Sequence, residues 1–234
     1  MQSLNFTKAI AIVDAKMNTY CVMTCDVKHS RTLSDWPAVV DKLTRCLRNL
    51  NTKFRPYLAV RFRFTVGDEF QGVLNTPDKL YDIYLYIKTH TPVDIYCGIG
   101  IGEAEISGNK PTNTRGSAFY RAREALNFCK KNKRSIYLRS ADTENMFDKL
   151  VNTLLYVIET LENGWTNRQR EIITYYRLHP DYTYERIGKH FGISRQSVYQ
   201  ILKSANWQII NRSETLVNEL LHKFVRLKCL TNGS

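Results

Sequence analysis

The sequence predicts an α+β domain followed by a small all-helical domain. Strand and helix patterns alternate from Tyr20 to about residue 140, only helical patterns follow, and the composition becomes basic after Gly164. The chain has 234 residues, of which 43% are hydrophobic and 24% charged, the composition of a globular protein with room for one large and one small domain. We therefore divide it into an α+β domain with its connecting helix over 1–163 and a helical domain over 164–234.

The elements of the first domain follow from the spacing of apolar residues. A β-rich run from Tyr20 to Asp26 predicts a strand, and residues 35–51 carry one apolar stripe at helical spacing. Alternation over 59–66, the turn Gly67-Asp68 and a second run over 69–74 predict a β-hairpin. The remaining predictions are a helix over 77–89, a strand over 93–101, a loop over 107–114, a helix over 117–132, a strand over 135–138 and a helix over 143–163. This order suits a ferredoxin-like sandwich: an antiparallel-centred sheet with helices on one face and an extra terminal strand.

Three carboxylates fall at neighbouring strand ends of this topology. Asp26 ends the first strand, while Asp68 and Glu69 lie at the tip of the hairpin. Carboxylates that converge beside a loop with free N–H groups are what Mg²⁺ carrying a nucleoside triphosphate requires. The alternative is turn chemistry, because Gly-Asp is common at hairpin tips and such acidic residues are usually solvated.

Several of these motifs together resemble a known class of domain. The segments Gly67-Asp-Glu-Phe70, Asp26-Val-Lys-His-Ser30 and Gly98-Ile-Gly-Ile-Gly-Glu103 resemble, in this order along the topology, the palm domain of diguanylate cyclases (GGDEF domains) and class III nucleotidyl cyclases. With Gly116-Ser-Ala-Phe-Tyr-Arg-Ala-Arg-Glu124, the run from Tyr20 to about Ser140 resembles the SatD family. The resemblance implies a palm-like fold for about half of the chain.

The cyclase resemblance also implies roles for individual residues. Asp26 and Asp68 would bind Mg²⁺, and Arg123 would match the arginine that stabilises the transition state of a catalytic palm. The residues implied in nucleotide binding are Lys28, His29, Ser30 and Arg123. Phe119 stands where cyclases carry the asparagine that positions the ribose, which argues against cyclisation.

The second domain carries the pattern of a helix-turn-helix module. Thr166 followed by Gln169 predicts a capping box at the start of a first helix. Residues 183–202 then place apolar residues where two helices of such a module share a core. Residues 165–205, with Arg168-Gln-Arg170 on the preceding helix, resemble region 4 of sigma factors, which implies DNA binding.

The turn and the second helix of this module have mechanical reasons for their residues. Gly192 permits a left-handed backbone, Ile193 fills the corner, and Ser194 caps the helix that starts near Arg195. The outward residues that we expect to contact bases and phosphates in the major groove are Arg195, Gln196, Ser197, Tyr199, Gln200 and Lys203. The alternative is a helical hairpin used only for packing or protein contact.

Charge favours a polyanionic partner. The chain has 34 Lys and Arg against 22 Asp and Glu, a net charge of +12, and half of this excess falls in residues 164–234. A basic surface of this kind is typical of nucleic-acid-binding proteins. We therefore expect a DNA-binding transcriptional regulator whose palm-like domain binds a nucleotide with Mg²⁺ as a sensor. The alternatives are a Mg²⁺-dependent nucleotidyl cyclase or transferase with a nucleic-acid-binding accessory domain, and an inert palm scaffold used for dimerisation.

Three further patterns bear on compartment and assembly. The six cysteines form no CxxC pair, which is typical of reduced thiols. The apolar run Ala9–Val13 is too short for a signal-peptide core and no run is long enough to span a bilayer, so we expect a cytoplasmic protein without a membrane partner. An apolar stripe that includes Leu216, Leu221 and Phe224 either closes the small domain or joins two copies in a homodimer.

Overall fold

The computed structural model describes residues 19–106 and 114–231. Within them the protein has a mixed α+β architecture with one five-stranded sheet, several helices and a second, two-stranded sheet. The apolar run Ala9–Val13 and most of the predicted loop over 107–114 lie outside the described residues.

The helices and strands are close to those predicted. The strands are β1 (Thr19–Val27), β2 (Leu58–Phe64), β3 (Glu69–Leu74), β4 (Ile95–Glu103), β5 (Glu105–Ile106), β6 (Thr114–Arg115) and β7 (Ile136–Arg139). The α-helices are α1 (Trp36–Lys53), α2 (Leu80–His90), α3 (Ser117–Asn132), α4 (Met146–Asn163), α5 (Asn167–Leu178), α6 (Tyr184–Phe191), α7 (Arg195–Ser204) and α8 (Trp207–Thr231). Short 3₁₀ turns occupy Ser30–Thr32, Arg55–Tyr57 and Pro77–Lys79.

The main sheet has the strand order β2-β3-β1-β4-β7. Its first four strands pair antiparallel, and β7 adds parallel to β4. The antiparallel centre and the extra terminal strand agree with the predicted arrangement. The small β5–β6 pair was not predicted, because two strands of two residues carry too little periodicity to be recognised.

The main sheet is buried on both faces, a feature that the prediction of helices on one face did not include. α3 lies on the face toward which the β4 glycines point: a Cβ on Gly100 would lie 2.0 Å from Ala118 O, and one on Gly98 would lie 2.2 Å from Leu126 N. The residues between these glycines, such as Ile99, are also fully buried. A sheet with one wet face alternates buried and exposed residues, whereas β3 and the centre of β1 are buried without interruption.

The chain forms two compact units. The first contains the described residues of Met1–Thr153 and Val217–Ser234, and the second is Leu154–Leu216. The predicted division at 163/164 stays a prediction, since these limits fall inside α4 and α8. Phe224, which we had expected to close the small domain or join two copies, stacks on Phe147 at a centroid distance of 4.5 Å. The carboxyl-terminal part of α8 therefore packs within the first unit.

The second unit has an apolar core of its own. Its buried members come from every helix of the unit and are Ile158, Trp165, Ile172, Ile173, Ile187, Val198, Leu202, Trp207 and Ile210. Arg177 lies inside it and forms ion pairs with Glu162 and Glu214. Because all three side chains are at least nine-tenths buried, each charge depends on the others.

The predictions about membrane spans and about the cysteines can be compared with the described residues. None of the helices in the described part of the chain combines the length and the apolar character that a bilayer span needs. Five cysteines, Cys21, Cys25, Cys46, Cys97 and Cys129, are buried free thiols. Burial raises the pKa of Cys46 to about 11, so this thiol stays protonated at neutral pH.

Candidate functional site

The predicted carboxylates meet at one edge of the sheet. Asp26, near the end of β1, lies opposite Glu69 of β3 and Tyr96 of β4 in the register of the sheet. Asp68 precedes Glu69 in the hairpin, which Gly67 closes with a φ of 60°. Ser30 Oγ donates a hydrogen bond to Asp68 Oδ2. The structure thus brings Asp26, Asp68 and Ser30 to the same end of the sheet.

These carboxylates influence one another. The pKa of Asp26 is raised from 3.8 because burial disfavours its charged form, and the negative charges of Asp68 and Glu69 add to this rise. Lys130 opposes it, since its Nζ lies 2.5 Å from Asp26 Oδ2. The pKa is raised overall, so burial outweighs the ion pair. A cation that enters here would relieve the same cost.

Glu69 has a different partner. Arg123 of α3 binds it through both terminal nitrogens: Nη2 lies 2.7 Å from Glu69 Oε1, and Nη1 donates to Oε2. This fork-to-carboxylate geometry fixes both side chains, and the hydrogen bonds that Arg123 donates to Glu69 raise the pKa of Arg123. Arg123, predicted to contact a nucleotide, is therefore held at the carboxylate edge with about half of its side chain exposed.

The other two residues of the predicted phosphate loop lie differently. Lys28 Nζ donates to Ser135 Oγ at 2.8 Å and sits 4.8 Å from the centroid of the Tyr96 ring. The backbone N–H of Lys28 donates a hydrogen bond to Asp94 O, so this donor is already used and does not bind a phosphate. His29 is exposed, with a left-handed φ of 56°.

Two residues of this edge were not predicted as site residues. Glu69 was grouped with Asp26 and Asp68 at the strand ends but was given no binding role, and Lys130 was not considered. A signal for Lys130 was present, because Arg123 and Lys130 lie seven positions apart on one helix and so share a face. No set of three or more His, Cys, Asp or Glu residues in the described ranges is arranged to hold a metal ion. What the edge offers a divalent cation is the pair Asp26 and Asp68, with basic side chains beside them.

The second candidate surface lies on α6 and α7 and begins with their turn. Gly192 ends α6 with a φ of 66°, and Ile193 N donates to Gly188 O at 2.9 Å. Ser194 Oγ accepts from Ser197 N at 3.0 Å and so caps α7. A Cβ on Gly188 would lie 2.5 Å from Ile193 O, so a larger residue at this position would force the turn away from α6.

The outward face of α7 is polar and basic. Val198 and Leu202 are buried in the core of the unit. The residues that lie exposed on the helix are Arg195, Gln196, Tyr199, Gln200, Lys203 and Ser204. Ser197, predicted with them, is half-buried, and its hydroxyl lies 2.9 Å from that of Ser194. α7 contains no acidic residue, and neither Arg195 nor Lys203 forms an ion pair within the described ranges.

The Arg168-Gln-Arg170 segment of α5 contacts the ends of the two helices that form this surface. Arg168 Nη2 donates to Phe191 O, the last carbonyl of α6, at 3.0 Å. Gln169 completes the capping box with Thr166, and its Nε2 lies 3.1 Å from Ser204 Oγ at the end of α7. These side chains tie α5 to the ends of α6 and α7, and this fixes the angle of the two-helix unit.

Comparison with solved structures finds low similarity to several proteins. A bacterial light-regulated adenylyl cyclase matches with 11% identity and a TM-score of 0.38 over 51% of this chain and 74% of its own. A Trypanosoma brucei adenylate cyclase matches with 14% identity and a TM-score of 0.34. The match covers 43% of this chain and 63% of the trypanosomal chain, which is less than two thirds of its length. A regulator of polyketide synthase expression from Bifidobacterium adolescentis matches with 13% identity and a TM-score of 0.24 over 89% of this chain and 81% of its own. We draw no functional conclusion from similarity at this level.

A comparison with curated proteins finds no match. The model of one protein family, described as the SatD family, matches residues 20–221. This range contains the main sheet, the carboxylate edge and the two-helix unit of α6 and α7. The chain therefore belongs to the SatD family.

Proposed function

We propose that this SatD family protein is a DNA-binding transcriptional regulator that places α7 in the major groove. One observation carries the proposal: the exposed face of α7 presents a row of hydrogen-bonding and basic side chains without a carboxylate on the helix. Bases in the major groove are read by side chains of these types, arginine on guanine and glutamine on adenine. The residues at the start of the helix, Arg195 and Gln196, are those that such modules direct at base edges.

The charge of the chain supports the same proposal. The chain has 34 basic and 22 acidic residues, a charge balance that suits a surface that neutralises phosphates. Neutralisation of DNA phosphates by Lys and Arg supplies most of the non-specific affinity of a protein for DNA. The two-helix unit is also fixed by its neighbours, since Arg168 holds the end of α6 and Gln169 the end of α7. A fixed recognition helix loses little conformational entropy when it binds.

The test is selection of duplex DNA from a random pool by the full chain, followed by fluorescence anisotropy on the selected sequence and on a scrambled one. We expect specific binding at least about a thousandfold tighter than non-specific binding. Arg195→Ala and Gln196→Ala should each lower specific affinity by about 1–3 kcal/mol and relax the preference at one base pair. Lys203→Ala should weaken both duplexes to a similar degree.

Glu185→Gln serves as the matched control, because Glu185 is an exposed residue of α6 whose carboxylate lies 3.4 Å from Lys189 Nζ of the same helix. It should change specific affinity little. Absence of any selected sequence, or specific binding that the Arg195 and Gln196 variants leave intact, would contradict the proposal and leave α6 and α7 as a packing element.

For the first unit we propose a nucleotide sensor that binds Mg²⁺ through Asp26 and Asp68. The supporting observation is that burial and the neighbouring carboxylates raise the pKa of Asp26, a cost that a divalent cation removes. Oxygen ligands on one side leave the remaining positions of Mg²⁺ to water and phosphate oxygens. Ser30 and Arg123 lie beside these carboxylates, on Asp68 and Glu69 respectively, where a phosphate chain would extend.

Calorimetric titration of ATP and GTP, with Mg²⁺ and with a chelator, tests this site. We expect a Mg²⁺-dependent part of the binding that disappears in both Asp26→Asn and Asp68→Asn, with both variants folded as judged by circular dichroism. If that part persists in both variants, the site lies elsewhere. Chromatography of the same mixtures tests the second candidate, a nucleotidyl cyclase or transferase: release of pyrophosphate that needs Asp68 would favour an enzyme over a sensor.

A further inference from the structure

A cleft between α1 and the edge strand β2 is lined by four arginines. Its volume is about 400 Å³, and Arg48, Arg55, Arg61 and Arg63 lie on its walls. Arg48 comes from α1, Arg55 from the 3₁₀ turn that follows it, and the other two from β2. Clefts of about 300–1,000 Å³ are the size in which proteins bind small ligands.

Among the residues that the structure describes, no acidic side chain pairs with any of the four guanidinium groups. All four residues are exposed, and no Asp or Glu lines the cleft. Within residues 19–106 and 114–231 none of the four forms an ion pair, whereas Arg45, three positions before Arg48 on α1, lies 2.8 Å from Asp41. Like charges that share a concave surface repel one another and create a positive potential there.

The backbone around the cleft is fixed rather than open. Asn51 of α1 binds the free edge of β2 with both side-chain atoms, donating to Phe62 O at 2.9 Å and accepting from Phe62 N at 2.8 Å. The end of α1 is capped, since Phe54 N donates to Leu50 O. The arginines therefore line one cleft from three elements, α1, the 3₁₀ turn and β2, and the Asn51 contacts tie α1 to β2.

We propose that this cleft binds the oligophosphate chain of a small molecule, such as a nucleoside triphosphate or inorganic triphosphate. Each guanidinium presents a planar fork of donors that matches two oxygens of a phosphate, and four of them match an anion with three to four negative charges. Thr44 and Thr52 add hydroxyl groups to the lining of the cleft. A single phosphate would leave most of the positive charge uncompensated.

This site is separate from the carboxylate edge and works by a different principle. β2 is the outermost strand of the sheet, and β3 lies between it and β1, which carries Asp26. The arginines supply the positive charge that Mg²⁺ would supply at the carboxylate edge. Binding in the cleft should therefore need no divalent cation and should weaken steeply with salt.

The test is calorimetric titration of sodium triphosphate and of ATP into the full chain, with a chelator present so that the carboxylate edge does not contribute. We expect one site per chain that binds triphosphate, and affinity about tenfold or more weaker in each of Arg48→Ala and Arg61→Ala, the loss expected when a charge-assisted hydrogen bond to an anion is removed. Arg45→Ala is the matched control and should bind as the natural chain does. Arg61→Lys keeps the positive charge but not the planar fork of donors, so its affinity for triphosphate should lie between those of the natural chain and Arg61→Ala.

The outcomes separate the ligand sources. Binding of both compounds would place recognition in the phosphates, and binding of ATP alone that is lost in the Arg61 variant would add a contact to the base or ribose; either supports the cleft. No metal-independent binding, binding unchanged in the Arg48 and Arg61 variants, or binding of duplex DNA alone through these arginines would overturn the proposal. Because all four side chains are exposed, the variants should keep the natural melting temperature, and triphosphate should raise that temperature only where the arginines remain.

Discussion

Lys130 Nζ lies 2.5 Å from Asp26 Oδ2, a contact between α3 and β1 across 104 positions of the chain. Burial raises the pKa of Asp26 at the sheet edge, and Lys130 is the cation that partly compensates for it. A metal ion that uses Asp26 as a ligand must therefore share this carboxylate with Lys130 or displace its ammonium group.

The first prediction follows from this competition. Lys130→Gln should raise the affinity of the carboxylate edge for Mg²⁺ by about threefold to tenfold, since removal of a partly exposed cation changes the local interaction by about 1 kcal/mol. Lys131→Gln removes the same charge from the exposed neighbouring position and should change affinity little. Titration of Mg²⁺ at fixed nucleotide concentration measures both. Equal affinities in the two variants would show that Lys130 does not compete with the metal.

The second prediction concerns pH. Because the pKa of Asp26 is raised above 3.8 in the folded chain, the folded state keeps this proton at pH values where the unfolded state has lost it. The contribution of Asp26 to the free energy of unfolding is thus greatest below pH 3.8 and falls as the pH rises through the folded pKa.

Asp26→Asn cannot titrate, so the stability of the natural chain relative to this variant should decline across that window. Urea denaturation from about pH 3 to about pH 7 measures the difference. Asp41→Asn, at an exposed position of α1, is the comparison for loss of a carboxylate that is not buried. A relative stability that rises with pH would mean that the ion pair with Lys130 outweighs burial.

The third prediction tests the contact between α3 and β4. A Cβ on Gly100 would lie 2.0 Å from Ala118 O and 2.3 Å from Ala122 N, both backbone atoms. Gly100→Ala should therefore cost about 3 kcal/mol or more of unfolding free energy, since the helix must move away from the sheet. Gly67→Ala, where no atom lies within 4 Å but φ is 60°, should cost only about 1 kcal/mol of backbone strain. Similar losses in the two variants would contradict the close approach of α3.

The fourth prediction concerns the buried ion pairs of the second unit. Arg177 Nη2 lies 2.7 Å from Glu162 Oε1 and 2.5 Å from Glu214 Oε1. Arg177→Leu would leave two buried carboxylates without this cation and should cost about 3–5 kcal/mol. Lys189→Leu breaks an ion pair in the same unit, with Glu185, whose side chains are 77% and 67% exposed and should cost under about 1 kcal/mol. Thermal unfolding of both variants measures the contrast.

Local chemistry in the sequence was enough to predict most elements. Thr166 and Gln169 form the predicted capping box, Gly192 adopts the predicted left-handed backbone, and Ser194 caps α7 as expected. These features depend on residues within a few positions of one another, so their patterns are legible in the chain itself. The antiparallel centre of the sheet also followed from the order of the elements.

Contacts between distant residues were not predictable in the same way. The sequence suggested Arg123 as a nucleotide contact, and the structure pairs it with Glu69. Nothing in the sequence indicated that Arg61 and Arg63 belong to a binding site. The packing of α1 beside β2 brings Arg48 into the same cleft as these two residues.

By itself, then, the sequence determined where helices and strands begin and end, because capping, turn chemistry and hydrophobic period act over a few residues. It also placed Asp26 and Asp68 at neighbouring strand ends. Tertiary structure alone decided that both faces of the sheet are buried, that Lys130 forms an ion pair with Asp26, and that four arginines share a cleft without a carboxylate. These outcomes depend on which surfaces meet in three dimensions, and the free energy of burial that selects them is a property of the whole packed chain.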